Sequence, residues 1–190
     1  MIIDLSFLKK SKKFFLIGFL IFIFFINIFL LIKFLYPVKY YDIILENSIE
    51  YNLKPEFICA VINSESRFNK YAKSYKNASG LMQIKKTTAD WAAREIDIKN
   101  YDYKNIFDEN INIKIGCWYL DNLFKEFKNK DLVICAYNAG SGNVSEWLKN
   151  KKYITKNKSI IKIPFDETKK YLKKVKKFEK IYKFLISYNG

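Results

Sequence analysis

The sequence contains no histidine. That absence removes Ser-His-Asp and Cys-His catalysis and every His-ligated metal site. Any chemistry must therefore use carboxylates, hydroxyls, amides, Lys, Arg or Cys. Glycine and proline are also scarce, 6 and 3 in 190 residues, and no long apolar/polar alternation occurs, so helices are expected rather than sheets. The cysteines are only Cys59, Cys117 and Cys135, an odd number, all in apolar surroundings and none at metal-ligand spacing. They read as small buried core residues, not as a disulfide framework. Acidic residues are few, 19 against 34 Lys and Arg, a net charge of +15. Such a surplus suits an anionic partner, but no nucleic-acid motif accompanies it. There is no internal repeat.

The first strong feature present is an uncharged run, Phe14 to Ile32, apolar except for Gly18 and Asn27. Its length matches the roughly 20 residues that a helix needs to cross a bilayer, and a lone Asn can hydrogen-bond within the helix. A cleaved signal peptide would have a shorter apolar core and small residues after it. Here Lys33-Phe34-Leu35-Tyr36-Pro37 follows, which is bulky throughout, so a retained anchor is expected. Lys9, Lys10, Lys12 and Lys13 precede the run and only Asp4 opposes them, which places the N-terminus in the cytoplasm. The expected organisation is a basic cytoplasmic tail at 1–13, a transmembrane anchor at 14–36 and an extracytoplasmic domain at 37–190.

From about Tyr40 the pattern is helical. Apolar spacing predicts one helix over Tyr41 to Tyr51 and another starting at Pro55 and running through Ser64. Arg67 to Ser79 reads as a polar loop. Thr87 is the expected cap of a helix to Ile96 and Asp108 of a longer one through Phe127, and Asp131 is expected to start a third that ends at Asn138-Ala139-Gly140. Ser141 to Leu148 reads as a short helix and Lys149 to Ile163 as a basic connection. A final amphipathic helix, Thr168 to Leu185, presents Leu172, Val175, Phe178, Tyr182 and Leu185 on one side and lysines on the other. Closing the core is the favoured role for it, with a membrane-surface helix as the alternative.

Four short stretches stand out. Ala60-Val61-Ile62-Asn63-Ser64-Glu65 delivers a carboxyl at the end of an apolar helix, the setting that keeps an acid protonated near neutral pH. Ala78-Ser79-Gly80-Leu81-Met82-Gln83-Ile84 offers a tight turn and an amide with both donor and acceptor. Ala136-Tyr137-Asn138-Ala139-Gly140 places polar side chains just before a break. Ile163-Pro164-Phe165-Asp166-Glu167-Thr168 fixes the entry to the last helix. Each alone also fits a plain structural role: a solvated helix-end Glu, a buried turn, a helix C-cap and an N-cap.

Taken in order, the four stretches resemble the soluble lytic transglycosylase family, over roughly Tyr40 to Leu185. The resemblance implies an all-α, lysozyme-like fold. It implies cleavage of the β-1,4 bond between N-acetylmuramic acid and N-acetylglucosamine in peptidoglycan, with a 1,6-anhydro product and with no metal or cofactor. It assigns Glu65 as catalytic glutamate, Ser74 to positioning the muramic acid, Met82 and Gln83 to the groove, Tyr137 and Asn138 to the neighbourhood of the carboxyl, and Glu167 to the border of the sugar site. The chain departs from the family pattern at Tyr75-Lys76-Asn77, where Gly or Pro is common, at Lys85-Lys86, where Met and Pro are common, and at Ser141, where Pro is common. These departures bear on subsite detail.

The expected partners are glycan strands of peptidoglycan, the membrane through the N-terminal helix, and anionic wall polymers or lipid headgroups for the lysine surplus. Trp91, Tyr137 and Trp147 are candidates for stacking on sugars, with core packing the favoured role for the two tryptophans. The main alternative is a hydrolytic muramidase on the same fold, which needs a second carboxylate from Asp90, Asp97 or Glu146. The others are a non-catalytic glycan-binding subunit of an envelope complex and a membrane structural protein with no glycan contact.

Overall fold

The computed structural model describes residues 5–150, 153 and 162–187. The chain divides into two units, residues 1–37 and 38–190. The first is a single helix, α1 (Leu5–Leu35), whose stretch Lys12–Leu35 is long and apolar enough to cross a membrane. The helix extends back through much of the predicted basic tail. The Asn27 side chain donates to the Ile23 carbonyl at 2.8 Å, so its amide is satisfied one turn back within the helix.

The second unit is built around a helix with no wet face. In α3 (Pro55–Glu65) every residue from Phe57 to Ser64 is buried. Proline at its first position costs no hydrogen bond there and presets the backbone angle. Its main neighbour is the last helix, α8 (Asp166–Ser187), which applies Thr168, Tyr171, Val175, Tyr182 and Leu185 as its buried face. Of the expected face, Val175, Tyr182 and Leu185 are buried, whereas Leu172 and Phe178 stay half-exposed and Thr168 and Tyr171 take part instead. Helices α2 (Tyr41–Glu50) and α5 (Glu109–Phe127) complete one side, and α6 (Lys130–Ala139) and α7 (Ser141–Lys149) the other. Helix α5 begins where expected, with Asp108 accepting from the Ile111 amide at 3.0 Å. Most of the basic connection predicted over Lys149–Ile163 lies outside the described residues.

Two helix starts differ by one residue from expectation. Helix α6 begins at Lys130, just before Asp131, and is capped by Asn129, which accepts from the amides of Asp131 and Leu132. Helix α4 (Lys86–Glu95) starts one residue before Thr87 and has no side-chain cap. It follows directly from a minimal antiparallel ribbon, β1 (Ala78–Ser79) paired with β2 (Ile84–Lys85), that the sequence pattern did not announce.

That ribbon is held by one buried side chain. Asn112 of α5 is 1% exposed. Its Oδ1 accepts from the Met82 amide at 2.7 Å, and its Nδ2 donates to the carbonyls of Ser79 and Ile106 at 3.1 and 2.8 Å. Gly80, at φ +82°, lets the loop press against it; a Cβ there would lie 2.1 Å from Asn112 Nδ2. Gly116, one turn along α5, makes room for the Met82 side chain in the same way.

The three cysteines lie in α3, α5 and α6, all buried as free thiols. Burial pushes Cys59 and Cys135 up to about 12, and Cys117 upward as well.

Replacing Asn112 by Ala orphans one buried amide and two carbonyls. Unsatisfied buried groups cost about 1–3 kcal/mol each, and partial relaxation limits the sum. Urea denaturation of Asn112→Ala is expected to show a loss of about 3 kcal/mol.

Candidate active site

Glu65 is the last residue of α3, and the backbone turns sharply after it. Ser66 caps the helix, its amide and hydroxyl both donating to the Ile62 carbonyl. Arg67 and Phe68 then adopt left-handed angles, φ 53° and 61°, a region costly for bulky side chains. Phe68 is nonetheless buried, with its ring 6.0 Å from that of Tyr182. Packing of this ring against α8 offsets the strain and stops the helix at the carboxyl.

The Glu65 carboxyl is largely shut off from water. Burial raises it from its ordinary 4.5 to about 7. Two groups oppose this: Tyr171 donates its hydroxyl to Glu65 Oε1 at 2.6 Å, and the Lys174 ammonium is nearby. The charge on Glu167 works in the same direction as burial. Burial is the largest of these effects. The Lys174 Nζ donates to the Ser64 carbonyl at 2.7 Å, and burial lowers its affinity for a proton while the Glu65 charge raises it. None of the ion pairs among the described residues includes Glu65. The site thus holds an acid that is about half protonated near pH 7.

Tyr137 and Tyr171 flank this carboxyl, and burial raises both phenols well above their ordinary value, so both remain donors. Tyr137 donates to the Met82 carbonyl at 2.7 Å, which ties α6 to the ribbon loop. Its ring lies 5.6 Å from Tyr119, and Trp91 continues the row at 6.5 Å from Tyr119. A cavity of about 220 Å³ opens beside this row, lined by Gln83, Lys85, Thr88, Tyr119, Tyr137 and Asn138, among others.

The structure therefore brings Gln83, Tyr137 and Asn138 to one cavity and Tyr137 to the carboxyl. The Gln83 amide donates to the carbonyls of Ala72 and Gly80, which leaves its Oε1 as the group for a ligand. Asn138 accepts from Thr168 at 2.7 Å, which fixes its amide. Ser74 accepts from the Ala78 amide at 3.0 Å and keeps its own proton to donate. The Met82 side chain is fully buried under the loop and meets the site only through its carbonyl. Glu167 is exposed and bound by Lys76 at 2.8 Å. Of the tryptophans, Trp147 is buried with its ring 5.2 Å from Phe165, whereas Trp91 is 40% exposed.

Sequence reasoning missed Tyr171, Lys174 and Asn112. Tyr171 had a signal: it lies four residues after Glu167 and four before Val175, so it shares a helix face with a core position. Lys174 had none, being one lysine among many.

Residues 42–160 match the family model "Transglycosylase SLT domain". The soluble lytic murein transglycosylase of Escherichia coli strain K12 is 32% identical over 154 residues, 80% of this chain and 24% of the relative. The membrane-bound lytic murein transglycosylase C of Actinobacillus pleuropneumoniae serotype 5b is 30% identical over 76% of this chain and 46% of the relative. Among solved structures, the 70 kDa soluble lytic transglycosylase of Escherichia coli superposes with a TM-score of 0.74 at 31% identity, over 82% of this chain and 26% of that one. An inactive glutamate-to-glutamine mutant of the lytic transglycosylase Slt from Pseudomonas aeruginosa superposes at 0.73 with 30% identity, over 80% and 25%. The chain spans about a quarter of the length of the soluble relatives. The fold is the lysozyme-like helical fold of these neighbours, preceded by α1.

A carboxyl held at about 7 makes stability depend on pH in a defined direction. At pH 4 it is protonated both folded and unfolded. Between 4.5 and 7 the unfolded chain ionises and the folded one does not, so stability falls as pH rises, and above 7 the penalty is complete. Glu65→Gln removes it while keeping an acceptor for Tyr171. The variant is expected to match the parent in thermal unfolding at pH 4 and to exceed it by about 1–3 kcal/mol at pH 8.

Proposed function

The chain belongs to the transglycosylase SLT family, and from that premise we propose that residues 37–190 form a peptidoglycan lytic transglycosylase anchored by a membrane segment at 14–36. The single observation that carries this reading is Glu65, an acid kept near pH 7 by burial and linked through Tyr137 to a polar, aromatic-walled cavity. The substrate is the glycan strand, cut at the β-1,4 bond between N-acetylmuramic acid and N-acetylglucosamine.

One carboxyl suffices if the reaction consumes no water. Protonated Glu65 gives its proton to the glycosidic oxygen as the C1–O bond breaks. The substrate's acetamido group stabilises the positive charge that develops at C1. Ionised Glu65 then takes the proton of the sugar's own C6 hydroxyl, whose oxygen bonds to C1 and closes a 1,6-anhydro ring. Glu65 ends protonated, ready for the next strand. Acid and base duties at one group call for a pKa close to the working pH, and intramolecular attack gains from proximity. Tyr171 fixes the carboxyl's orientation and stabilises its ionised form between the two steps. Gln83, Tyr137 and Asn138 face the sugar chain, Ser74 donates to it, and Glu167 contacts it after exchanging Lys76. Met82 shapes the loop from beneath.

Of the three carboxylates that a hydrolytic reaction would recruit, Asp90, Asp97 and Glu146, two are held in ion pairs. Asp90 is paired with Lys86 and Glu146 with Lys149. The inactivity of the glutamate-to-glutamine mutant of the Pseudomonas relative fits a single essential glutamate. The membrane-bound relative and the apolar α1 fit anchoring, and the lysines before the apolar run support a catalytic unit outside the cytoplasm.

Mass spectrometry of digested peptidoglycan is the direct test. Products should carry anhydro ends, one water lighter than reducing ends, and reducing ends alone would overturn the reading. Glu65→Gln should abolish turnover, and normal turnover in that variant would remove Glu65 from the mechanism. Because the resting acid must be protonated, kcat/KM should be level below pH 7 and fall as pH rises above it. Tyr171→Phe removes a bond that favours the ionised carboxyl, so the fall should move to higher pH.

A further inference from the structure

Helix α8 carries a second face that the site does not use. Its inner side closes on α3, and its outer side carries a shallow groove lined by Leu172, Lys173, Lys176, Lys177, Lys180 and Ile181. All four lysines are exposed. Leu172 and Ile181 sit half-exposed at the two edges of the helix, and the lysines fan out between them. Phe184, one turn beyond Lys180, is 45% exposed on the same side. The acids facing this side are few. Asp131 of α6 holds Lys176 at 3.0 Å, and Glu179 pairs with Lys130 away from the groove. Lys173, Lys177 and Lys180 form no ion pair among the described residues.

We propose that the outer face of α8 is a docking surface for an anionic lipid bilayer. Charge complementarity alone would also admit a soluble polyanion. The apolar members choose between them: a phosphate polymer in water has no use for Leu172, Ile181 and Phe184, whereas the headgroup–acyl boundary accepts such side chains and lysine ammoniums together. Lysine stems lie along apolar surface while their charges reach the phosphates. The membrane-crossing length of α1 means that the chain meets a bilayer without a separate targeting step. The face is distinct from the Glu65 site, and the proposal does not depend on the reaction assigned there.

The test uses the full chain reconstituted in vesicles, with an external, membrane-impermeant acetylating reagent and mass spectrometry to read each lysine. In vesicles containing about one-third phosphatidylglycerol, Lys173, Lys177 and Lys180 should react about fivefold or more slowly than in pure phosphatidylcholine. Half-molar salt should abolish the difference. The triple variant K173E/K177E/K180E, altered only at exposed positions, should lose the lipid dependence as read at Lys169. Equal rates in the two vesicle types would overturn the proposal. So would equal protection in phosphatidylcholine vesicles by added soluble poly(glycerol phosphate), which would assign the surface to a wall polymer instead.

Discussion

The arrangement around Glu65 depends on the dryness of the helix that presents it. Eight consecutive buried residues precede the carboxyl, so it emerges from the core rather than from a helix surface. The α3 side is dry because its residues are packed, and on the α8 side the buried Tyr171 lies against the carboxyl and donates to it. A carboxyl on an ordinary amphipathic helix would keep a hydrated flank and its usual acidity. The cost is borne elsewhere, in strained backbone at Arg67 and Phe68 and in a lysine whose charge is drawn to a carbonyl.

The second support is the loop from Ala78 to Ile84. A segment this short cannot hold its own shape with two pairs of strand residues. It borrows rigidity from Asn112, which replaces missing backbone partners with one side-chain amide, and from the Tyr137 hydroxyl on its far side. The loop is therefore clamped between α5 and α6, and Gln83 at its end enters the cavity with its amide donors already committed.

How much of this was legible in the sequence follows the range of the interactions. Helix α5 was readable because its cap, Asp108, acts three residues away on Ile111. Glu65 was readable as a helix-end acid because the apolar run leading to it is contiguous. Asn112 was not, since its partners at Ser79 and Met82 lie 33 and 30 positions back. Nor was the bond between Tyr171 and Glu65, which spans 106 positions. The phase of α8 was legible at Val175, Tyr182 and Leu185, but its first turn was not, because Leu172 is apolar and Tyr171 amphipathic. Composition favoured the leucine, while the need to meet a buried carboxyl favoured the phenol.

The sealed thiols carry a consequence of their own. Cys59, Cys117 and Cys135 sit one to a helix in α3, α5 and α6, buried and held in the unreactive protonated form. An oxidant or alkylating agent outside the molecule meets no thiolate while the core is shut. Each cysteine is thus a silent reporter that speaks only when its helix parts from its neighbours. The native chain carries, without any engineering, three separate clocks for the opening of its own interior.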